Sequence, residues 1–391
     1  MLTVMRSAGG RSRQGAQIVW RPRLDATLLA VILALAATPA VSWAQAGWYI
    51  IPSLSLTEEF DDNVFSGSSN RVSDFITRGS PGLSAGYRSE PLTLLVSSGF
   101  DAEFFEENRE LSNVGDRWRS DVAFEYRPTR TLTLGVRADF AQTVTPTELS
   151  PQTGIELGRQ QTTLWDVSPS LSYRFTPSTS GDASYLHRRS ITESLTNVTQ
   201  EARLRLSHLL TPRDTGTLGY TLRQIETDAA SADRSHAMTI GWTSRLSPTT
   251  TLSLEAGPRV SESDGTLGAE AAASLERRLK LGAVSVAYTR SETAIIGRAG
   301  TAQFDNLSGS LRLEPRRSLR LNFGALVSEI AEEGVRDTTV YGLSASVEYQ
   351  ITKWLSARAT YRFSRQEQGS FTIPHNIFSI GLDVRHPVRA D

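Results

Sequence analysis

Apolar and polar residues alternate along most of the chain. Leu132, Leu134, Val136, Ala138 and Phe140 interleave with Thr133, Gly135, Arg137 and Asp139. Leu319, Leu321, Phe323 and Ala325 interleave with Arg320, Asn322 and Gly324, and Tyr341, Leu343, Ala345, Val347 and Tyr349 with Gly342, Ser344, Ser346 and Glu348. A period of two places successive side chains on opposite faces, so each stretch reads as a β-strand with one apolar and one polar face. The stretches run for about ten residues or slightly more, the length that crosses a lipid bilayer at a tilt.

Short turns of similar composition separate pairs of stretches, at Arg88 to Pro91, Arg127 to Arg130, Thr176 to Thr179, Thr211 to Asp214, Ser247 to Thr250, Arg277 to Lys280, Glu314 to Arg317 and Thr352 to Trp354. Proline presets a turn dihedral and lacks the N–H that a central strand position needs. The other ends of the strand pairs carry longer polar segments, such as residues 66–72, 143–160 and 329–336. Alternating short and long connections mark a transmembrane barrel with short turns on the periplasmic side and long loops outside. Eight short turns join sixteen strands, and one strand at each end makes about 18. The predicted fold is therefore an all-β, antiparallel, up-and-down transmembrane β-barrel. In lipid every backbone polar group must be paired, which a sheet achieves only by closing on itself. A β-propeller is the soluble rival, but each repeat here holds two long strands rather than four short ones. Aromatics fall near strand ends: Tyr87, Tyr126, Phe175, Tyr349 and Trp354 beside short turns, and Phe65, Phe75, Phe104, Trp118 and Trp165 toward long loops.

The N-terminus changes the compartment. Arg6, Arg11, Arg13, Arg21 and Arg23 surround or precede the apolar run 26–37, and Ala44-Gln45-Ala46 offers a small-residue cleavage site. Residues 1–46 read as a secretory signal, and residues 47–391 as one barrel domain whose first strand begins near Trp48. The rival, a membrane-anchoring helix, needs a longer apolar run. The whole chain carries a net charge of −1 and loses five arginines with the leader, so the remainder is mildly acidic and no nucleic-acid partner is expected. Cysteine is absent, which removes disulfides and thiolate chemistry.

The start of the predicted barrel carries a more specific pattern. Glu59-Phe60-Asp61-Asp62-Asn63-Val64-Phe65 follows the stretch from Pro52, and Ser73-Asp74-Phe75-Ile76-Thr77 and Ser80-Pro81-Gly82-Leu83 come next. This resembles the first hairpin of the outer-membrane β-barrel porin family associated with exopolysaccharide and capsule loci. The resemblance implies an outer-membrane location and an export channel for a secreted polysaccharide, with a periplasmic export protein as partner. Such barrels usually end in an aromatic residue. Here Phe378 to Val384 has the right alternation, but the chain continues to Asp391.

No catalytic constellation emerges. Of His187, His208, His236, His375 and His386, His208 has outward parity, His187 and His236 lie toward long loops and His386 in the tail, so solvated loop histidines are the plain reading; no serine sits in a nucleophile motif, and no His-Glu-x-x-His spacing occurs. No enzyme, cofactor or metal is expected. The acidic run Glu58, Glu59, Asp61 and Asp62 reads as the solvated start of the first long loop, with divalent-cation binding at the lipopolysaccharide surface as the rival.

The polar face of the strands is the informative part, because on a barrel it faces the lumen. Parity sends Arg137, Arg203, Arg205, Arg312, Arg320, Arg358, Arg362 and Arg385 inward, together with Asp101, Glu103, Arg117, Asp121, Asp139, Glu201, Arg223, Glu255, Arg259, Glu348 and Asp383. So many charges imply a wet lumen, with a share of them paired in ladders. Arg312, Arg320, Arg358 and Arg385 lie near the inner mouth and suggest a basic entrance for an anionic polymer. The long loops are acidic, with Glu106, Glu107, Glu110, Glu332 and Glu333 besides the first acidic run. Residues 143–160, the longest connection, either fold inward and narrow the pore or stay outside. Three readings follow. The first is passage of an exopolysaccharide or other hydrophilic polymer. The second is a general small-solute porin, and the third is a structural or surface-interaction barrel with a closed lumen. Partners expected in any case are outer-membrane lipid, lipopolysaccharide and the barrel assembly machinery.

Overall fold

The computed structural model describes residues 47–149, 153–228, 230–263, 265–332, 335–386 and 388–389. The leader and its cleavage site, Pro151 of the longest connection and Glu333 lie outside the described residues. Eighteen long strands follow one another. They are β1 (Gly47–Asp61), β2 (Asp74–Arg88), β3 (Leu92–Phe105), β4 (Asn113–Tyr126), β5 (Leu132–Thr143), β6 (Thr162–Thr176), β7 (Thr179–Ile191), β8 (Thr196–Leu209) and β9 (Asp214–Thr227). The second half comprises β10 (Ala230–Ser247), β11 (Thr250–Ser261), β12 (Leu267–Leu279), β13 (Gly282–Thr293), β14 (Ala302–Arg316), β15 (Leu319–Glu332), β16 (Thr338–Gln350), β17 (Leu355–Gln368) and β18 (Phe371–Arg385). Each strand pairs antiparallel with its neighbours in sequence, and β1 pairs with β18 from Ser53↔Arg385 to Asp61↔Ile377, so the sheet closes without an edge. A two-residue strand, β19 (Val388–Arg389), extends this seam by pairing with Tyr49 and Ile50. The chain beyond β18 thus prolongs the closing ladder.

All eight short turns fall where expected, and all lie at one end with Gly47 and Arg385. The opposite end carries the longer connections, except that β9–β10 and β17–β18 turn within two residues. One expectation about proline fails. Pro81 and Pro169 lie inside strands, at points where the β2–β3 and β6–β7 ladders skip from Gly79↔Ala102 to Gly82↔Gly99 and from Val167↔His187 to Ser170↔Ser184. A locally broken ladder is where a missing N–H is tolerated.

The molecule is apolar outside. Leu54, Leu56, Leu204, Leu218, Ile240, Leu275, Leu307, Leu343, Ile380 and Leu382 are among the many large hydrophobics left exposed. A soluble protein buries such side chains, whereas a continuous exposed belt of them matches lipid tails. Trp48, Tyr126, Phe175, Tyr349 and Trp354 stand exposed at the short-turn end, and Phe75, Phe104 and Trp165 toward the other, as interfacial girdles do. No described helix is long and apolar enough to cross a membrane. We expect a heat-modifiable, detergent-soluble protein whose circular dichroism is almost purely β. Substantial helical signal, or a band that does not shift on boiling, would reject this arrangement.

Candidate functional site

On the strands that carry the charged residues assigned to the lumen, most exposed large hydrophobics occupy the opposite parity. Most of the predicted arginines are paired. Arg203 lies 2.6 Å from Glu201, Arg205 2.6 Å from Glu255, Arg358 3.2 Å from Asp383 and Arg362 3.6 Å from Glu59. Arg312 and Arg320 share Glu314, at 2.8 and 3.4 Å, and Arg320 reaches Glu348 at 3.2 Å. The inner mouth on β14–β16 is therefore a ladder of alternating sign rather than a basic patch. Arg137 lines a cavity near the short-turn end with Arg88, Glu90, Glu125 and Arg127. Arg385 is exposed at the end of β18. On the wall of β4, β5 and β6, Asp121, Asp139 and Asp166 stand side by side in register, and Arg188 pairs with the last at 2.6 Å.

The expectation of a solvated first loop does not survive. Glu59 and Asp61 are buried. Glu59 holds Arg78 at 3.3 Å besides Arg362. Asp62 accepts hydrogen bonds from the backbone and side-chain nitrogens of Asn376, at 2.8 and 2.7 Å, and pairs with Arg71. The Asn63 side chain donates to Gly67 O at 2.9 Å and to Pro374 O at 3.0 Å. Phe60 packs on Phe75, and Phe65 remains exposed. The acidic run is held by the closing seam: Asn376 of β18 donates to Asp62, Pro374 O accepts from Asn63, and Arg78, Arg362 and His375 face Glu59 and Asp61. His375 is likewise not solvated. It is 6 % exposed, with Nε2 2.7 Å from Asp61 Oδ1 and Nδ1 3.2 Å from Glu156 Oε1.

Glu156 belongs to the connection between β5 and β6, whose described residues, 144–149 and 153–161, run into the barrel as a strap. Its base is pinched by a hydrogen bond from Gln160 N to Val144 O at 3.0 Å. Near its start the short helical turn Pro146–Leu149 carries Glu148 to Arg117, which also holds Asp101 at 3.1 Å and Glu103 at 3.4 Å. Farther on, Ile155 packs into a buried cluster with Ile295, Ala302, Phe304, Ile330 and Val340. Phe304, Ile330 and Val340 lie on β14, β15 and β16, while the strap leaves from β5. In a ring of eighteen, β14 is nine places from β5, so Gly154 and Ile155 reach the opposite wall. Gly154 makes the close approach possible: its φ is +63°, and a Cβ there would sit 3.1 Å from Val340 Cγ1. The connection between β13 and β14 also turns inward. The Asn197 side chain on β8 donates to Ile295 O at 2.8 Å, and Arg298 pairs with Glu332 at 2.5 Å.

Beneath the strap lies a cavity of about 700 Å³. Arg119, Arg358 and Arg362 face it, 67 %, 43 % and 47 % exposed, while their counter-ions Asp101, Asp383 and Glu59 are shielded behind them. The remaining wall mixes small residues, Ser55, Thr57, Gly324, Ser344, Ser379 and Gly381, with apolar ones, Leu326, Val340, Leu343, Phe363 and Ile377. Among the described residues no cluster of His, Asp and Glu has the arrangement to hold a metal ion.

The strap carboxylates are held ionised. Burial opposes ionisation of Glu148, but the charge and hydrogen bond of Arg117 outweigh it and bring the carboxyl to about 2. Burial also opposes ionisation of Glu156, and hydrogen bonds from His375, Ser364 and Ser66 hold it below the usual carboxylate range. A carboxyl whose pKa falls on docking contributes fully above its free value and loses that contribution as pH falls toward the docked value. Docking of the strap should thus be constant from neutrality to about pH 5 and weaken progressively toward about pH 2. Channel conductance recorded over this range should be flat above the upper limit and rise below it. A conductance that falls as pH drops below about 5 would contradict the assignment.

No curated protein matches the chain in sequence. Residues 35–206 match a family model described as "Putative MetA-pathway of phenol degradation". Among solved structures the chain is similar to OccAB4 of Acinetobacter baumannii, with a TM-score of 0.48 and 7 % identity over 90 % of this chain and 100 % of that one. It is similar to Pseudomonas aeruginosa OpdK, solved with vanillate, with a TM-score of 0.48 and 12 % identity over 87 % and 99 % of the two chains. The P. aeruginosa siderophore receptor PirA gives a TM-score of 0.43 and 10 % identity over 86 % and 80 %.

Proposed function

We propose that this chain is an outer-membrane channel for small hydrophilic solutes. The observation that carries the reading is the strap, which reaches from β5 across a lumen rich in charged side chains and packs Ile155 against residues of the opposite wall. An eighteen-stranded barrel is wide enough to conduct, and an inward loop converts that width into a size filter. The strap and the matched family lend no support to export of an exopolysaccharide or to a periplasmic export protein as partner. The family description concerns the degradation of a small aromatic molecule, and a narrowed bore suits solutes of that size better than a polymer. On this reading the apolar belt sits in the outer membrane, the rim meets lipopolysaccharide, and the barrel assembly machinery inserts the chain.

The test is conductance and liposome swelling with the purified protein. Steady single-channel steps and swelling that falls from monosaccharides to trisaccharides support the proposal. Uptake of dextran would return the polymer reading. Absence of both conductance and swelling would favour the third reading, a barrel with a closed lumen, for which the apolar contact of Ile155 with Ile295 already speaks.

A further inference from the structure

We infer that Asp61, His375 and Glu156 form a clasp that positions the strap and thereby sets the bore, with residues 59–65 as its fixed half. The inference rests on the channel reading for its consequence, though not for its geometry. The three residues come from the end of β1, from β18 and from the strap. Both ring nitrogens of His375 face carboxylates, Nε2 to Asp61 at 2.7 Å and Nδ1 to Glu156 at 3.2 Å. An imidazole donates to two acceptors at once only when both nitrogens carry a proton. The set is then one cation between two anions. Without the histidine, two shielded carboxylates face each other with nothing between them.

The strap side of the clasp is heavily tied. Glu156 Oε1 also accepts from Ser364 Oγ at 2.7 Å, and Oε2 accepts from Ser66 Oγ at 3.0 Å. Its backbone N donates to Gln366 Oε1 at 2.8 Å. Glu156 therefore touches β17, β18 and the first loop with one side chain and one amide. Burial of a charged group is costly unless it is so surrounded, and here the surroundings specify one position for the strap.

The fixed half does not depend on the strap. Asp61 Oδ1 accepts from Asn63 N at 2.8 Å, and Asn63 and Asp62 are bonded to Pro374 and Asn376, on either side of His375. The seam itself is held by the β1–β18 ladder. Loosening the clasp should thus free the strap tip without opening the barrel. The geometry also orders assembly, because the socket for Glu156 exists only after the first and last strands have met, so the bore is set last.

The absence of cysteine makes the test clean. Ser379→Cys places a single thiol in the cavity beneath the strap. Intact cells are treated with a maleimide bearing a polyethylene glycol chain too large to enter the periplasm. His375→Leu and, separately, Glu156→Ala should raise the labelling rate by about tenfold. Glu156→Gln, which still accepts from His375 and Ser364, should stay close to the parent. Conductance should rise with the same ranking. Glu156→Ala alters only the strap, so it reports even if His375→Leu fails to fold. If folded His375→Leu and Glu156→Ala label at the parental rate, the clasp is refuted. If they label faster but no variant conducts, the clasp stands and the channel reading falls.

Discussion

Deletion of residues 146–156 is expected to raise single-channel conductance roughly two- to fivefold, since conductance follows the free cross-section at the constriction. The barrel should tolerate the change. The Gln160 N to Val144 O bond closes the base of the strap, so the retained stubs start from paired residues and a short glycine link can join them. What is lost is the contact of Ile155 with Ile295, Phe304, Ile330 and Val340, worth about 1.5–3 kcal/mol for one aliphatic side chain. The β-ladders around the ring are untouched. Arg117 and His375 lose Glu148 and Glu156, yet the opened lumen admits water to both, so neither is stranded dry. Planar-bilayer recording of the deletion variant, with heat-modifiability as the folding control, decides the matter. Parental conductance in a folded variant would mean that the strap does not constrict the path.

Conversion of Arg312, Arg320, Arg358 and Arg385 to Gln should move the channel strongly toward cation selectivity. Three of the four face carboxylates, so the substitutions remove positive charge and also release Glu314, Glu348 and Asp383 from their partners. The inner half of the lumen then presents an excess of negative charge, whose potential acts over about 10 Å at 0.1 M salt and less at higher salt. The reversal potential under a KCl gradient should shift toward that of potassium at low ionic strength and return toward the parental value in molar salt. Arg137→Gln, a single change in the separate cavity near Arg88 and Glu125, should give a smaller shift. A quadruple variant with an unchanged reversal potential at low salt would show that ions pass elsewhere.

The strands, their number, the eight short turns and the alternation of apolar and polar faces were readable along the chain. Lipid and water impose opposite demands on alternate residues of one strand, and a turn needs its own residue types, so both signals are local. Leu204 and Leu206 against Arg203 and Arg205 show the rule in four consecutive positions. The inward course of residues 144–161 was not local. One trace of it existed: Phe304, Ile330 and Val340 are apolar at lumenal parity near the outer ends of β14, β15 and β16, where a wet lumen gives no reason for them. Length alone singled out residues 143–160 as the segment able to fold inward, and no local pattern in it said which wall it would meet. The same holds for the acidic run and His375. Asp61 and Glu59 look like solvated loop residues until ring closure brings β18 and β17 alongside, and His375 looks idle until Glu156 arrives from across the barrel. Whether a charged side chain is solvated, paired or clasped depends on groups hundreds of positions away, and that proximity is created by closure of the ring rather than by any pattern along one strand.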